Sequence, residues 1–132
     1  PTYKGDYLKF KEVIDENLGD IYGIEQALWS HELHVAGRSD CIAEWNGTLY
    51  ILDWKTSRKV KKREHIDNYF LQGTFYAMAY EELTGEKVEL LNIVMVPENE
   101  PVIIFTEKVD DWRETLREKV AKWYKEVKNL TF

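Results

Sequence analysis

Cysteine is almost absent from this sequence, and long apolar runs are absent altogether. The one cysteine, Cys41, excludes a disulfide within the chain and a four-cysteine zinc or iron–sulfur site built by this chain alone. No apolar stretch approaches the ~18 residues of a membrane-spanning helix. The first residues, Pro-Thr-Tyr-Lys, have no secretory signal pattern. We therefore expect a soluble protein of a reducing, intracellular compartment, with no membrane partner.

Internal repeats and low-complexity segments are also missing, so the 132 residues predict one domain that spans residues 1–132. A chain of this length buries about two thirds of the surface that its unfolded form exposes. The hydrophobic fraction of 44% is sufficient for a core of that size. The formal net charge of −6 argues against a protein that coats nucleic acid indiscriminately, because phosphate binding leaves a basic footprint.

Residues 40–55 predict a hairpin that brings two acids together. Asn46-Gly47 between two apolar runs indicates a type I′ turn, which needs positive φ at both central residues. With that turn, Asp40 faces Asp53 across the strands, at a spacing where like charges destabilise each other. Apolar residues cover both predicted faces, so the hairpin is expected to be central and its acids buried. A divalent cation would turn the repulsion between the two acids into attraction.

Lys55 extends this acid pair into a candidate site. It lies two residues after Asp53, so strand alternation places both side chains on one face. The alternative is a set of solvated charges on an exposed hairpin. Five cations then follow within six residues, and a basic rim beside an acidic cleft suits a phosphodiester substrate, although a solvated loop is again the alternative. These cations are Arg58, Lys59, Lys61, Lys62 and Arg63.

The remaining patterns predict an α/β fold: a single mixed β-sheet of about five strands, with the hairpin at its centre and helices flanking it. The predicted helices cover residues 6–18, a segment capped by Asp67 or Asn68 that runs to about Leu83, and a segment that opens at Asp110. The predicted strands are residues 22–30, 35–45, 48–56, 87–96 and 102–108.

Side-chain spacing adds detail to these helices. Gly73 inside the second helix costs about 1 kcal/mol relative to alanine, which predicts a close approach to the sheet. Gln72 and Tyr76 form an i, i+4 pair on that helix. The first and last helices each carry an apolar stripe that is expected to be buried. The stripes are Tyr7, Phe10, Ile14 and Leu18, and Trp112, Leu116, Val120, Trp123 and Val127.

Three segments together resemble the PD-(D/E)xK nuclease superfamily, in its RecB-like branch. They are Gly37-Arg38-Ser39-Asp40, Leu52-Asp53-Trp54-Lys55-Thr56-Ser57 and Gln72-Gly73-Thr74-Phe75-Tyr76, within about residues 25–80. A closer resemblance, to the mitochondrial genome maintenance exonucleases and their phage relatives, is carried by Asp40-Cys41-Ile42-Ala43-Glu44 together with Asp53-Trp54-Lys55-Thr56-Ser57. Ser39 stands where the proline of the superfamily's name occurs. The resemblance implies a restriction-endonuclease-like core and, for a bacterial or phage protein, a location in the host cytoplasm.

The resemblance also implies residue roles. Asp40, Asp53 and the backbone carbonyl of Trp54 would ligate Mg²⁺ or Mn²⁺, since hard oxygen ligands suit hard cations. Glu25 would be an upstream acid of the same site. Lys55 would position the attacking water or stabilise charge on the phosphorus. Gln72 and Tyr76 would order the site and the nearby DNA backbone. The residues expected to contact DNA are Thr56, Ser57, Arg58, Lys59, Lys62 and Arg63.

The function implied by the resemblance is that of a metal-dependent deoxyribonuclease, an exonuclease whose partner is single-stranded DNA or DNA with a free end. Two alternatives stay open: a catalytically silent DNA-binding module and an RNA-processing nuclease of the same chemistry. The sequence also leaves open the cleavage polarity, exonuclease against endonuclease action, one metal or two, the oligomeric state, and whether the chain is a trimmed domain.

Overall fold

The computed structural model describes residues 2–57 and 66–129. Within these ranges three α-helices and five strands follow each other in the predicted order. The basic residues at positions 58–63 lie outside the described part of the chain. The elements are α1 (Thr2–Asn17), β1 (Leu18–Ser30), β2 (Val35–Trp45), β3 (Thr48–Ser57), α2 (Asp67–Thr84), β4 (Leu90–Pro97), β5 (Ile103–Lys108), a 3₁₀ turn (Val109–Asp111) and α3 (Arg113–Asn129).

The five strands form one mixed sheet in the order β1-β2-β3-β4-β5. Neighbouring strands are antiparallel except β3 and β4, which run parallel. A parallel pair needs a crossover connection, and α2 lies in the segment that joins these two strands. The predicted α/β fold with a mixed sheet and a central hairpin is confirmed, and β3 is the middle strand.

The turn between β2 and β3 fixes their register. Asn46 has φ 51° and Gly47 has φ 83°, as a type I′ turn requires. The pairing that starts at this turn continues to Cys41 opposite Leu52. Asp40 and Asp53 occupy the next step of the same register, as the sequence predicts.

Both faces of the central strands are covered by helices. Strand alternation sends successive side chains to opposite faces, so one hairpin contributes to two separate apolar clusters. The hairpin is therefore enclosed away from its exposed turn at residues 46–48, which explains why its buried polar residues are costly to leave unpaired. Ile42 and Ile51 join the cluster that includes α2, and Cys41, Ala43 and Leu52 pack with Phe10, Val13 and Ile14 of α1.

Helix α2 is buried from Phe70 to Tyr80 except at Gln72. At Gly73 an added Cβ atom would lie 3.3 Å from Cδ2 of Leu91 on β4, which confirms the predicted close approach to the sheet. Gly85 ends the helix with φ 77°, and its N–H donates to the carbonyl of Glu81. This packing makes α2 the rigid support of one sheet face.

The predicted cap of α2 by Asp67 or Asn68 is wrong. Ile66 occupies the cap position, and no side chain makes a capping hydrogen bond there. Asp67 is already inside the first turn, where its charge still complements the helix dipole. The side chain of Asn68 instead accepts a hydrogen bond from Lys119 of α3. Burial of Ile66, which is fully inaccessible to solvent, fixes this end of the helix instead of a polar cap.

The predicted stripes of α1 and α3 are partly wrong. Tyr7 is 59% exposed and Trp123 is 53% exposed. In α1 the residues that pack against the core lie toward the end of the helix. They include Val13, which the predicted stripe left out, and they do not include Tyr7. In α3 the core contacts are made by the first half of the helix, through Leu116 and its neighbours. Sequence spacing identified the correct faces but not how far along each helix the sheet extends.

Other predicted bounds shift by a few residues. Helix α1 ends at Asn17, and β1 begins at Leu18, so Gly19 belongs to the strand rather than ending the helix. Strand β1 is an edge strand of 13 residues. Within residues 2–57 and 66–129, no helix has the length and apolar character needed to cross a membrane.

Candidate active site

The two predicted acids meet at the centre of the sheet. Asp40 on β2 accepts a hydrogen bond from the backbone N–H of Trp54, 3.2 Å from its Oδ2. Asp53 on β3 is only 3% exposed, and the two carboxyl groups lie within hydrogen-bonding and Coulombic reach of each other. The hairpin register therefore brings together two groups that repel each other when both are ionised.

Strand β2 changes the face that it presents to α2 close to Asp40. An added Cβ atom at Gly37 would point at Phe75 of α2, 2.8 Å from its Cε2 atom. Ile42 packs into the same cluster as Phe75, although five residues of regular strand would put it on the opposite face. Glu25, at the matching step of β1, has φ 48°, in the left-handed region. The face that β2 presents to α2 therefore changes between Gly37 and Ile42, upstream of the regular pairing with β3.

Burial controls the charge state of Asp53. The pKa of this carboxyl is raised from 3.8 to about 7, mainly by loss of solvation and also by the hydrogen bond and charge of Asp40, while Lys55 opposes the rise. No described residue donates a well-formed hydrogen bond to Oδ2 of Asp53, which is buried. A buried, unsatisfied carboxylate oxygen beside a second carboxylate is a position that a cation would stabilise.

Lys55 lies beside this oxygen. Its Nζ atom is 3.1 Å from Oδ2 of Asp53, and it also lies 4.8 Å from the ring centroid of Tyr69 on α2. Partial burial lowers the pKa of Lys55, but the charges of Asp53 and Asp40 outweigh burial and the net direction is upward. The ammonium group therefore stays charged at the rim of the acid pair.

Gln72 and Tyr76 form the predicted pair on α2. Nε2 of Gln72 donates a hydrogen bond to the hydroxyl of Tyr76 over 2.7 Å. Burial raises the pKa of Tyr76, and the charges of Asp53 and Asp40 add to the rise, which places the phenol close to the acid pair. An added Cβ at Gly37 would lie 3.1 Å from Cε1 of this ring. The pair thus faces the acids from the helix side.

Tyr69 is the residue of this site that sequence reasoning missed. It precedes Gln72 by three residues and Tyr76 by seven, so all three lie on one face of α2. That spacing was a usable signal. The apolar stripe of the same helix dominates its sequence pattern and masks this signal.

Glu25 does not join the acid pair as a third close ligand. It is exposed on β1, and no group of three histidine, cysteine or acidic side chains converges within the described ranges. Its role as an upstream acid stays a prediction.

Most of the residues predicted to contact DNA follow the end of β3. Thr56 is exposed near the end of this strand, next to the site. Ser57 ends the strand, and its side chain is not described. Their contacts with DNA stay predictions. The predicted contacts Arg58, Lys59, Lys62 and Arg63 lie outside the described residues.

The donor set fits a hard divalent cation. Asp40 and Asp53 offer carboxylate oxygens, one of them without a hydrogen bond from the described residues, and oxygen ligands suit Mg²⁺, Mn²⁺ and Ca²⁺. The backbone of Trp54 is tied to Asp40 through its N–H. Ligation of the metal by the backbone carbonyl of Trp54 stays a prediction. Histidine and cysteine side chains, which softer metals prefer, are not gathered with other potential ligands in the described ranges.

The family model of the PD-(D/E)XK nuclease superfamily matches residues 5–131, nearly the whole chain. The chain belongs to this superfamily.

Curated relatives point to nucleases within the superfamily. The chain is 33% identical over 72 residues to mitochondrial genome maintenance exonuclease 1 of Homo sapiens, and 43% identical over 56 residues to its counterpart in Xenopus tropicalis. These alignments cover 54% and 39% of the chain. It is also 34% identical over 85 residues, or 63% of the chain, to an ATP-dependent helicase/nuclease subunit from Carboxydothermus hydrogenoformans. The aligned regions span 19%, 16% and 7% of those proteins, respectively.

A solved structure shares the fold. The crystal structure of a protein from Eubacterium rectale, named "Putative exonuclease", superposes with a TM-score of 0.56 at 13% identity. The match covers 86% of this chain and 49% of that one. At this identity the likeness concerns the fold alone. It agrees with the mixed sheet and the helices described above.

Proposed function

We propose that this chain is the nuclease domain of a metal-dependent deoxyribonuclease that hydrolyses phosphodiester bonds, as an exonuclease on single-stranded DNA or DNA ends. The observation that carries the proposal is the buried pair of Asp40 and Asp53, with an unsatisfied carboxylate oxygen 3.1 Å from the ammonium of Lys55. An acid pair and a lysine so placed suit a reaction in which negative charge develops on a phosphorus centre.

The cofactor in this proposal is Mg²⁺ or Mn²⁺, which Asp40 and Asp53 would hold. When bound, such a cation activates water and screens charge on the phosphate. Lys55 donates from the rim of the acid pair, so it can orient a water molecule or stabilise an equatorial phosphate oxygen. Gln72 fixes the phenol of Tyr76 on α2 near the acid pair, where it can meet the DNA backbone.

The preference for DNA rests on two observations. The relatives named as exonucleases include one of mitochondrial genome maintenance. The sequence also places five cations within six residues directly after β3, whose last residue is Ser57. Cations directly after β3, which carries Asp53, suit the binding of a polyanionic nucleic acid whose phosphate must reach buried carboxylates.

The test is cleavage of end-labelled oligonucleotides. We expect linear single-stranded DNA to be degraded in the presence of Mn²⁺ or Mg²⁺, with no cleavage in EDTA and none by the Asp53→Asn variant. Asp15→Asn, which changes an exposed acid on α1, is the matched control and should cleave normally.

Parallel substrates separate the alternatives. Faster cleavage of a matching RNA would identify an RNA-processing enzyme instead. Binding without any cleavage at all would identify a silent DNA-binding module. Equal degradation of circular and linear single strands would contradict the exonuclease assignment.

A further inference from the structure

We propose that Tyr69 is a positioning residue that holds the ammonium group of Lys55 at the acid pair through the face of its ring. This inference rests on the proposed nuclease function for its effect on rate. The contact itself stands on geometry alone, so the two can fail separately.

The ammonium of Lys55 has contacts from two directions. Oδ2 of Asp53 lies 3.1 Å from Nζ, and the ring centroid of Tyr69 lies 4.8 Å from it. A cation within about 6 Å of an aromatic centroid is attracted by the ring quadrupole. A lysine side chain is a point charge on a flexible four-carbon stem, so one contact alone leaves it several orientations. The second contact, from a different element, selects one of them.

Tyr69 is itself held firmly. It belongs to the first turn of α2, and its backbone N–H donates to the carbonyl of Ile66 over 2.9 Å. Ile66 and Phe70 on either side of it are fully buried, and the Tyr69 ring packs against the same apolar cluster. The ring therefore has a fixed position beside β3. Its position is set by the core and does not depend on the charge of Lys55.

The ring contact differs from the ion pair in one useful respect. It occupies no carboxylate oxygen of Asp40 or Asp53. When another ligand binds these oxygens, Lys55 therefore keeps its contact with the ring of Tyr69. Its ammonium group then stays beside the two acids. A lysine held only by Asp53 would compete with every such ligand for the same oxygen atom.

The experiment compares Tyr69→Leu with Tyr69→Phe. Leucine removes the aromatic face and keeps an apolar side chain, whereas phenylalanine keeps the face. We expect Tyr69→Leu to lower the single-turnover rate with Mn²⁺ about tenfold, within the range of a partly desolvated cation–π contact. The affinity for the same oligonucleotide in Ca²⁺ should stay within about twofold, because a contact that acts on the reacting centre changes the rate more than the binding. Tyr69→Phe should keep most of the rate.

Tyr50→Leu is the matched control. Tyr50 is a partly buried tyrosine of the same strand as Lys55, but it packs into the cluster on the other sheet face. Its replacement should reduce stability without reducing the rate per folded molecule. A rate loss in Tyr50→Leu equal to that in Tyr69→Leu would show a general structural effect and overturn the inference.

Two further measurements isolate the contact. In a Lys55→Ala background, Tyr69→Leu should have no further effect on rate, because the partner that it positions is gone. In the metal-free wild-type protein, the ring current of Tyr69 should shift the Hε protons of Lys55 upfield in the NMR spectrum, and Tyr69→Leu should abolish that shift. A wild-type protein without the shift overturns the contact, whether or not it cleaves DNA. A wild-type protein that shows the shift but does not cleave overturns the proposed function and leaves the contact established.

Discussion

The backbone of Gly37 on β2 lies directly against the ring of Tyr76 on α2. An added Cβ atom at Gly37 would approach Cε2 of Phe75 to 2.8 Å, closer than real Cβ contacts allow, and Cε1 of Tyr76 to 3.1 Å, which is unusually tight. The absence of a side chain at one residue therefore lets α2 bring Tyr76 to the acid pair.

We accordingly expect Gly37→Ala to displace Tyr76 and to lower both stability and cleavage. Overpacking of this kind costs about 1 to 3 kcal/mol. Thermal unfolding and the single-turnover rate measure the two effects. Gly5→Ala in α1 is the control, because nothing lies within 4 Å of an added Cβ there and alanine favours a helix. A fully active Gly37→Ala protein would show that the position of Tyr76 does not matter for cleavage.

Metal binding should stabilise the fold. Mn²⁺ or Mg²⁺ bound only by the folded state raises the free energy of unfolding by about 2.7 kcal/mol at a hundred times Kd. We expect the melting temperature to rise with added metal in the wild type and in the control Asp15→Asn. The double variant Asp40→Asn, Asp53→Asn should not respond. An equal shift in that variant would place the metal elsewhere.

The metal-free protein should lose stability as pH rises from about 4 to about 7. The pKa of Asp53 is about 7 in the folded chain against 3.8 ordinarily, so in this range the folded state keeps a proton that the unfolded state releases. Folding stability falls with pH wherever the folded state binds more protons, by about 1.4 kcal/mol for each unit of pKa difference. Urea unfolding in EDTA at several pH values measures this slope.

Asp53→Asn should flatten this pH dependence, because the amide does not titrate. Asp15→Asn, at an exposed acid, should leave it unchanged. A wild-type protein whose stability does not fall over this range relative to that of Asp53→Asn would contradict the raised pKa of the buried carboxyl at position 53.

Lys55→Ala should lower kcat far more than it raises KM. If the ammonium acts on developing charge, its interaction is stronger in the transition state than in the ground state. Loss of one such stabiliser typically costs about 10² to 10³ in rate. Single-turnover cleavage and equilibrium binding in Ca²⁺ on one oligonucleotide measure the two quantities. Lys87→Ala, at an exposed lysine paired with Asp110, is the control. Cleavage by Lys55→Ala at the wild-type rate would rule out this active site.

Neutralising Lys59, Lys62 and Arg63 should weaken DNA binding and reduce its salt dependence. Removal of each cation that binds a phosphate reduces the slope of log affinity against log salt by about 0.7 for a single strand. Metal binding, followed by the metal-induced thermal shift, should be unchanged. An unaltered salt slope would mean that these residues form only a solvated segment.

The sequence was informative wherever one local signal decided the structure. The Asn46-Gly47 turn alone set the hairpin register, because only residues that tolerate positive φ fit both central positions. Gly73 predicted the close contact with β4 for a similar reason, since a glycine inside a helix needs a packing explanation. Both signals depend on the backbone of a few neighbouring residues.

The parts that sequence could not predict depend on distant contacts. Tyr7 and Trp123 follow the helical spacing but lie beyond the surface that the sheet offers, and spacing carries no information about that limit. Tyr69 contacts Lys55 only because of the position at which α2 packs along β3. The cap of α2 was misassigned because burial of Ile66 fixes that end of the helix instead of a polar side chain.

The parallel pairing of β3 with β4 has a consequence for the order in which the protein acquires its properties. The hairpin of β2 and β3 is local in sequence, and hairpins form in about 1 to 10 μs. The parallel pair closes a much longer stretch of chain, and such non-local pairing is intrinsically slower. Helix α2, with Gln72 and Tyr76, belongs to that later step. We therefore expect a folding chain to bring Asp40 and Asp53 together before it places Gln72 and Tyr76 beside them. The ability to bind a cation should then appear earlier than the ability to hydrolyse a substrate.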